Sequence, residues 1–374
     1  MSHFEIIGLG TALPDHSIEQ ADAATFAGTC LSGEADSDRA ETLVKALYRR
    51  SGVRSRNSVV LDSSTHRDAI SQSFYSPSDD PSNRGPGTAA RMQKFEREAP
   101  ALATKACLRA LQAAEVSPQQ ITHLITVSCS GFSAPGFDLS LFDSLGLRPT
   151  VSRTHVGFMG CHGALNAIRV ARAFATAEPD SVILICALEL CSLHHQYGWD
   201  PQRIVANSLF ADGAAALVGC SQSLLTTGRN HPRLLVQANA SSVLPETADM
   251  MTWRIGDHGF QMTLSPEVPQ IITNMLPTTI DAFLSQHQLS RHDVRSWVIH
   301  PGGPRILSAC TESLGLSEDQ IEPSSTILGR CGNMSSPTVL FILEELQHRN
   351  AEFPCVMLGF GPGLNVEMAI LLQK

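Results

Sequence analysis

The chain has 374 residues, with 43% hydrophobic, 17% charged and 6% aromatic, and 27 basic against 36 acidic residues give a formal net charge of −9. This balance excludes wholesale disorder and argues against a general nucleic-acid binder, which favours a basic surface. No apolar run approaches the ~20 residues of a membrane span, and the opening MSHFEIIGLGTALPDHS has no basic stretch ahead of an apolar one, so no secretory signal is read there.

In chain order, FEIIGLGTALP reads as a strand closed by a Gly/Pro turn, and residues 38–50 as a helix ending in Arg49 and Arg50 before Gly52. The stretch Ser71–Gly87 is rich in Pro, Ser, Gly and Asp and reads as a surface loop. Thr88–Ala114 is helical, with Pro100 expected to break it into two helices. HLITVSCSG and SVILICALEL are continuous apolar runs, as strands buried on both faces are. Between them VGFMGCHGALNAIRVARAFATA turns at Gly160 and continues as a helix from about Cys161. A second round begins near Arg233, with strands at RLLVQANASSV and SWVIHPG, helices near 268–287 and 335–348, and a final strand pair at PCVMLGFG and LNVEMAILLQ. Buried strands spaced by helices predict an α/β fold with helices on both sheet faces. The two successions suggest a duplication, with halves at 1–222 and 223–374. Ten cysteines, none spaced as CxxC and most in apolar runs, read as reduced core residues of a cytoplasmic protein rather than disulfide partners or zinc ligands.

Three places carry chemistry. Cys161 follows Gly160 at the start of an Ala-rich helix, where free N–H groups and the macrodipole lower a thiol's pKa. Alone, the pattern describes a packed core cysteine more readily than a reactive one. His300 ends the apolar run SWVIH before PGGP, which puts an imidazole at the carboxyl edge of a sheet, where α/β folds bind ligands. A satisfied strand-end histidine looks the same. Asn333, in GRCGNMSSP, precedes a helix, so it or Ser335 also reads as an N-cap. Together, Cys, His and Asn form a set suited to acyl-thioester chemistry: a nucleophile, its activator, and donors for an oxyanion. No metal-ligand motif accompanies them.

MGCHGALNAIRVA, VIHPGGPRIL, GRCGNMSSPTVLFIL and GFGPGLNVE together resemble the type III polyketide synthases, the chalcone synthase superfamily, over nearly the whole chain and in the family's order. The resemblance implies a thiolase fold of duplicated αβαβα architecture in five layers, a homodimer, and no cofactor, coenzyme A thioesters being substrates. It implies that Cys161 is acylated by a starter acyl-CoA, and that His300 and Asn333 decarboxylate malonyl-CoA and hold its enolate. The enolate then condenses with the acyl-cysteine, and the extended chain cyclises to a pyrone or resorcinol-type product. Two rivals remain open at this stage: an initiating ketoacyl carrier-protein synthase, and a cysteine hydrolase acting on thioesters.

Further positions follow from the same motifs. Phe210 matches a gate phenylalanine between the CoA tunnel and the cavity, and Met262 replaces a second gate phenylalanine, which favours a wider, softer passage. Ser128-Cys129 stands where plant members have two threonines. Cys at the position of Cys129 resembles bacterial members with an extra tunnel for long acyl chains, hence a fatty or otherwise apolar starter. His194 replaces a family threonine, Ala206 a cavity glycine, and Ala134 the methionine that plant enzymes insert into the neighbouring subunit. Glu189 matches a buried glutamate, Ser335 a cavity serine, and Gly363 belongs to GFGPG. Arg50 matches a contact to the CoA phosphates, with Lys45, Arg49 and Arg54 nearby, and Gly303 and Arg305 of PGGPR complete the expected CoA contacts. His162, beside the nucleophile, reads either as a second polar neighbour or as an exposed bystander.

Overall fold

The computed structural model describes residues 4–31, 37–63, 72–78, 80, 82–221 and 233–374. The first half contains β1 (Phe4–Ala12), β2 (Ser17–Glu19), α1 (Gln20–Gly28), α2 (Ser37–Arg50), β3 (Ser55–Asn57), α3 (Thr88–Ala114), β4 (His123–Ser128), α4 (Phe137–Leu145), β5 (Ser152–Gly157), α5 (Gly163–Ala177), β6 (Val182–Leu190), α6 (Pro201–Leu209) and β7 (Asp212–Ser221). The second contains β8 (Leu234–Val243), β9 (Met251–Gly256), β10 (Gly259–Leu264), α7 (Val268–Ser285), β11 (Ser296–Ile299), α8 (Pro304–Leu314), α9 (Glu318–Cys331), α10 (Thr338–His348), β12 (Cys355–Gly361) and β13 (Asn365–Gln373).

Nine strands join in the order β11-β12-β13-β8-β1-β7-β6-β4-β5. The join between the halves is short: β1 meets β8 only through Glu5↔Leu235 and Ile6↔Leu234. On either side the pattern repeats. β1 runs antiparallel to β7 as β8 does to β13, β7 antiparallel to β6 as β13 does to β12, and β6 parallel to β4 as β12 does to β11. The duplication invisible in residue identities is therefore plain in strand order.

Three buried clusters define five layers. One lies between β1, β4, β6 and β7 and the outer helices α3 and α4. Another lies between β8, β11, β12 and β13 and the outer helices α7 and α8. The third takes residues of both sheet halves together with α5 and α10, which therefore form a middle layer. α5 buries Ala164, Ala167, Ala171 and Ala175 there, and alanine combines the best intrinsic helix propensity with little bulk. β4, β7 and β12 are buried along their whole length and β6 at every residue after Val182, as strands covered on both faces must be.

One expectation needs revising. Pro100 does not split its helix: α3 is continuous from Thr88 to Ala114. A proline removes one i→i−4 bond, but Phe95, Ala99, Leu102, Ala103, Ala106 and Cys107 of this helix are buried on both sides of it, and that packing holds the helix together. The β9–β10 hairpin, paired from Met251↔Leu264 to Gly256↔Gly259, was not read from the sequence and supplies part of the site wall. The described residues between 72 and 87 carry neither helix nor strand, and the 222/223 boundary lies outside the described residues. Among the described residues no helix is long and apolar enough to cross a membrane. All ten cysteines are unpaired and buried.

Candidate active site

The site forms where the starts of the two middle-layer helices meet. Gly160 has φ +82, and a Cβ there would lie 2.5 Å from Cδ of Pro362 in GFGPG. Glycine is therefore required twice over, for the left-handed backbone and for the close approach. This turn presents Cys161, 7% exposed, just before α5. From the second half, Ser335 (φ +58) donates its hydroxyl to Cys161 Sγ at 3.4 Å. Neither Asn333 nor Ser335 caps α10, whose N-cap is Pro337. Asn333 Oδ1 instead accepts the Ser335 N–H at 2.8 Å, which leaves the side-chain amide nitrogen as the end that can donate to a ligand.

His300 follows β11 and is fixed through its backbone, its N–H donating to Leu358 O at 2.9 Å. Both ring nitrogens are buried and unpartnered. Such a group is costly to leave unsatisfied, and here it faces the same chamber as Cys161 and Asn333. Cys161 also borders a recess lined by Cys129, Glu189, Cys191 and Ser335. A third, larger chamber runs toward α1 and α2, bounded by Ile18, Phe26, Tyr48, Val60 and Leu61. Phe210 and Met262 line all three spaces, so the two gate positions sit at their junction.

Electrostatics revise one expectation. Burial pushes the Cys161 thiol up to about 12, against the lowering expected at a helix start, although the Ser335 hydroxyl favours the thiolate. Burial likewise lowers His300 to about 3, with His162 opposing a charge there as well. Burial thus favours the neutral form of both groups. The desolvation cost of either charge alone exceeds what the helix start returns, so charge separation between them requires that they ionise together.

Glu189, fully buried on β6, accepts from Ser130 Oγ (2.6 Å), Ser336 Oγ (2.7 Å) and Cys129 N (2.9 Å), with Ser128 Oγ at 3.4 Å. Desolvation still raises its pKa to about 7. Cys129 Sγ lies 2.9 Å from the Gly160 N–H, which fastens β4 to the nucleophile turn. The recess beside Cys129 is the smaller space, about 360 Å³ counted to its mouth against about 860 Å³ for the chamber toward α1. The roomy apolar space thus leaves past Cys191, Trp253 and Phe210 rather than behind Cys129.

His194 borders that larger chamber, yet its polar atoms are spent. Phe260 N–H donates to Nδ1 at 3.0 Å, so Nε2–H donates to Ser130 O at 2.7 Å, and burial lowers its pKa to about 3. It is a neutral brace stacked on Phe260 at 4.2 Å. His162 is no exposed bystander. It is 2% exposed, pairs Nδ1 with Asn166 Oδ1 at 2.7 Å and meets Asn365 Nδ2 at 3.3 Å. Asn365 leads on to Glu367 and Arg169.

Of the CoA positions, Arg50 and Arg305 are exposed, and Arg305 donates to Pro266 O at 3.3 Å. Their elements touch where Gly52 packs on Pro304, close to Gly302 and Ile306 at the wall of the His300 chamber. Gly303 (φ +141) starts α8 behind that wall. Gly363 (φ +103) accepts Thr247 Oγ1 and lies beside Pro362, which does border the recess. Sequence reasoning missed Trp253, whose Nε1 donates to Cys129 O at 2.8 Å. The DHG turn after WRIG was its only signal.

Sequence models of the chalcone and stilbene synthases match this chain at both ends: the N-terminal domain over residues 2–222 and the C-terminal domain over 235–373. The alpha-pyrone synthesis polyketide synthase-like protein Pks18 of Mycobacterium tuberculosis is 32% identical over 97% of this chain and 89% of its own length. The 1,3,6,8-tetrahydroxynaphthalene synthase of Streptomyces peucetius subsp. caesius is 31% identical over 98% and 92%. The crystal structure of PKS-I from the brown alga Ectocarpus siliculosus superposes with a TM-score of 0.91 at 31% identity, covering 100% of this chain and 99% of that one. These matches favour neither the carrier-protein synthase nor the hydrolase. The chain belongs to the chalcone and stilbene synthase family, the type III polyketide synthases.

Proposed function

We propose that this acyltransferase loads an apolar acyl group from a CoA thioester onto Cys161, extends it with malonyl-CoA, and releases a pyrone or resorcinol-type product. The observation that carries the chemistry is the buried chamber shared by Cys161, His300 and Asn333. As the starter thioester arrives, the Cys161 proton passes to an unpartnered nitrogen of His300. The thiolate attacks the thioester carbonyl, and the CoA thiolate departs with the proton from the imidazolium. Malonyl-CoA then places its thioester oxygen toward His300 and the Asn333 amide. Loss of carbon dioxide leaves an enolate whose oxygen these donors stabilise. Its carbon attacks the acyl-cysteine, a carbon–carbon bond forms and the Cys161 thiolate is released. Neutral donors suit this step, because a carboxylate there would repel the developing charge.

The apolar lining of the larger chamber by Ile18, Ala23, Phe26, Val60 and Leu61 supports a fatty or otherwise apolar starter. A basic mouth at Arg49, Arg50 and Arg305 suits the CoA phosphates, whatever the net charge of the chain. Two copies of this chain are proposed to pair through β5. Among the described residues that strand has only β4 as a neighbour, its residues are exposed or half-buried, and Phe132, Phe158 and Met159 stand exposed close by, as interface strands do. A panel of acyl-CoA starters with malonyl-CoA, analysed by mass spectrometry, tests the reaction. Cyclised products carrying two or more malonyl-derived units are expected. Products stopping at one condensation would refute the polyketide reading, and thioester hydrolysis alone would refute both synthase readings.

A further inference from the structure

The sequence drew no attention to Arg56. It sits on β3, paired with Ile18 of β2, and is only 8% exposed. Its guanidinium meets main-chain carbonyls: one terminal nitrogen donates to Asn207 O at 2.6 Å and to Phe210 O at 2.8 Å. Asn207 lies in the last turn of α6 and Phe210 is its C-cap, where a cation is favoured. The guanidinium lies 5.5 Å from the centre of the Tyr48 ring and borders the chamber that opens at Phe210.

This segment is also tied by main-chain hydrogen bonds. Phe210 N–H donates to Ala206 O at 3.1 Å. Phe210 and Asn333 form a parallel bridge, with Ala211 N–H on Asn333 O and Asn333 N–H on Leu209 O, both at 2.9 Å. Gly332 (φ +73) closes the space behind: a Cβ there would lie 2.8 Å from Ala211 Cβ, 3.1 Å from Leu209 O and 3.5 Å from Arg56 Cβ. Arg56 thus donates from β3 to the Phe210 carbonyl, and Phe210 stands where the three spaces meet.

We propose that Arg56 is a positioning residue that sets how far the chain is extended, acting through the placement of Phe210. The inference rests on the polyketide reading above. Without Arg56 the Phe210 carbonyl loses its charged donor, the segment 209–211 shifts, and the junction changes shape. Chain length then changes while Cys161, presented by the separate Gly160 turn, keeps its reactivity.

The test compares wild type, Arg56→Met, Phe210→Ala and the double variant with one apolar acyl-CoA and malonyl-CoA, counting malonyl-derived units per product. Acyl-Cys161 is followed by intact mass, and folding by circular dichroism. Arg56→Met is expected to shift the ratio of shorter to longer products about tenfold, the scale of one charged hydrogen bond, with acylation of Cys161 within about threefold of wild type. In the Phe210→Ala background the same substitution is expected to change the ratio less than about twofold, since groups acting through one another are not additive. An unchanged ratio in a folded Arg56→Met variant, or an equal shift in both backgrounds, overturns the proposal. Should the methionine variant not fold, Arg56→Lys, which keeps the charge but not the planar fork, carries the same comparison. A wild type that forms neither acyl-Cys161 nor polyketide overturns the proposed reaction instead, and is read before any variant.

Discussion

Glu189 offers the most quantitative handle on the site. Its carboxyl is fully buried and titrates at about 7 instead of the ordinary 4.5 because desolvation outweighs the donors around it. A carboxyl whose pKa is raised on folding binds its proton more tightly in the folded state, so folding is penalised as pH rises past 4.5 and the penalty levels off above 7. The full penalty is the 2.5-unit gap, about 3 kcal/mol at 1.36 kcal/mol per unit. Roughly 2 kcal/mol of it accrues between about pH 5.5 and about pH 8.5. Glu189→Gln is nearly isosteric: its oxygen can accept Cys129 N–H and Ser130 Oγ–H, and its amide can donate to Ser336 Oγ, which rotates to accept. The variant is expected to gain stability over wild type on going from the acidic to the alkaline condition, by about 2 kcal/mol. Urea midpoints of both proteins at the two pH values measure it. Because Asp212, also raised, to about 6, is common to both, the comparison isolates Glu189. The Glu189 charge also opposes the Cys161 thiolate, so alkylation of Cys161 by iodoacetamide near pH 8 should be several-fold faster in the variant. A stability difference that does not vary with pH would refute the reasoning about burial.

Three further outcomes follow from the geometry. Asn333→Ala should lower malonyl-CoA decarboxylation roughly 10²- to 10³-fold, the scale of one oxyanion donor, with acylation of Cys161 largely retained; release of labelled carbon dioxide measures it. Met262→Phe should narrow the three-way junction and shift selectivity about tenfold toward short starters, read as the ratio of kcat/KM for short and long acyl-CoA. Gly160→Ala should cost about 1–3 kcal/mol through its positive φ and its contact with Pro362, seen as a lowered thermal midpoint.

Legibility in the sequence followed locality. Cys161 after Gly160, His300 at a strand end and Asn333 in a Gly-rich turn each sit at a boundary that a few neighbouring residues define. The buried strands were legible because they are apolar throughout. Pro100 misled because its local rule was overridden by packing on β1 and β7, which only the folded chain shows. The roles of His162, His194, Trp253 and Arg56 were illegible for a related reason: their partners stand at Asn365, Phe260, Cys129 and Phe210, and no spacing rule links residues that far apart. The lowered thiol pKa failed differently. The helix-start argument was sound locally, but it counted a favourable term of a few tenths to 1 kcal/mol without the desolvation that opposes it.

The duplication explains why such a site exists at all. α5 and α10 occupy equivalent places in the two halves, both packed in the middle layer, so the turns that precede them are brought face to face. A Cβ on Gly163 would lie 3.5 Å from Ser336 Cβ, Ser335 Oγ reaches Cys161 Sγ, and Ser336 Oγ reaches Glu189 of the other half. Under the proposed reaction one turn spends its position on a nucleophile, whereas its counterpart carries only neutral donors. That asymmetry is what condensation requires. Two thiols would compete for one acyl group, and two sets of donors would have nothing to acylate. Since each half supplies what the other lacks, displacing one turn against the other should impair condensation more than it impairs decarboxylation. In the proposed reaction decarboxylation draws on His300 and Asn333 alone, both from the second half.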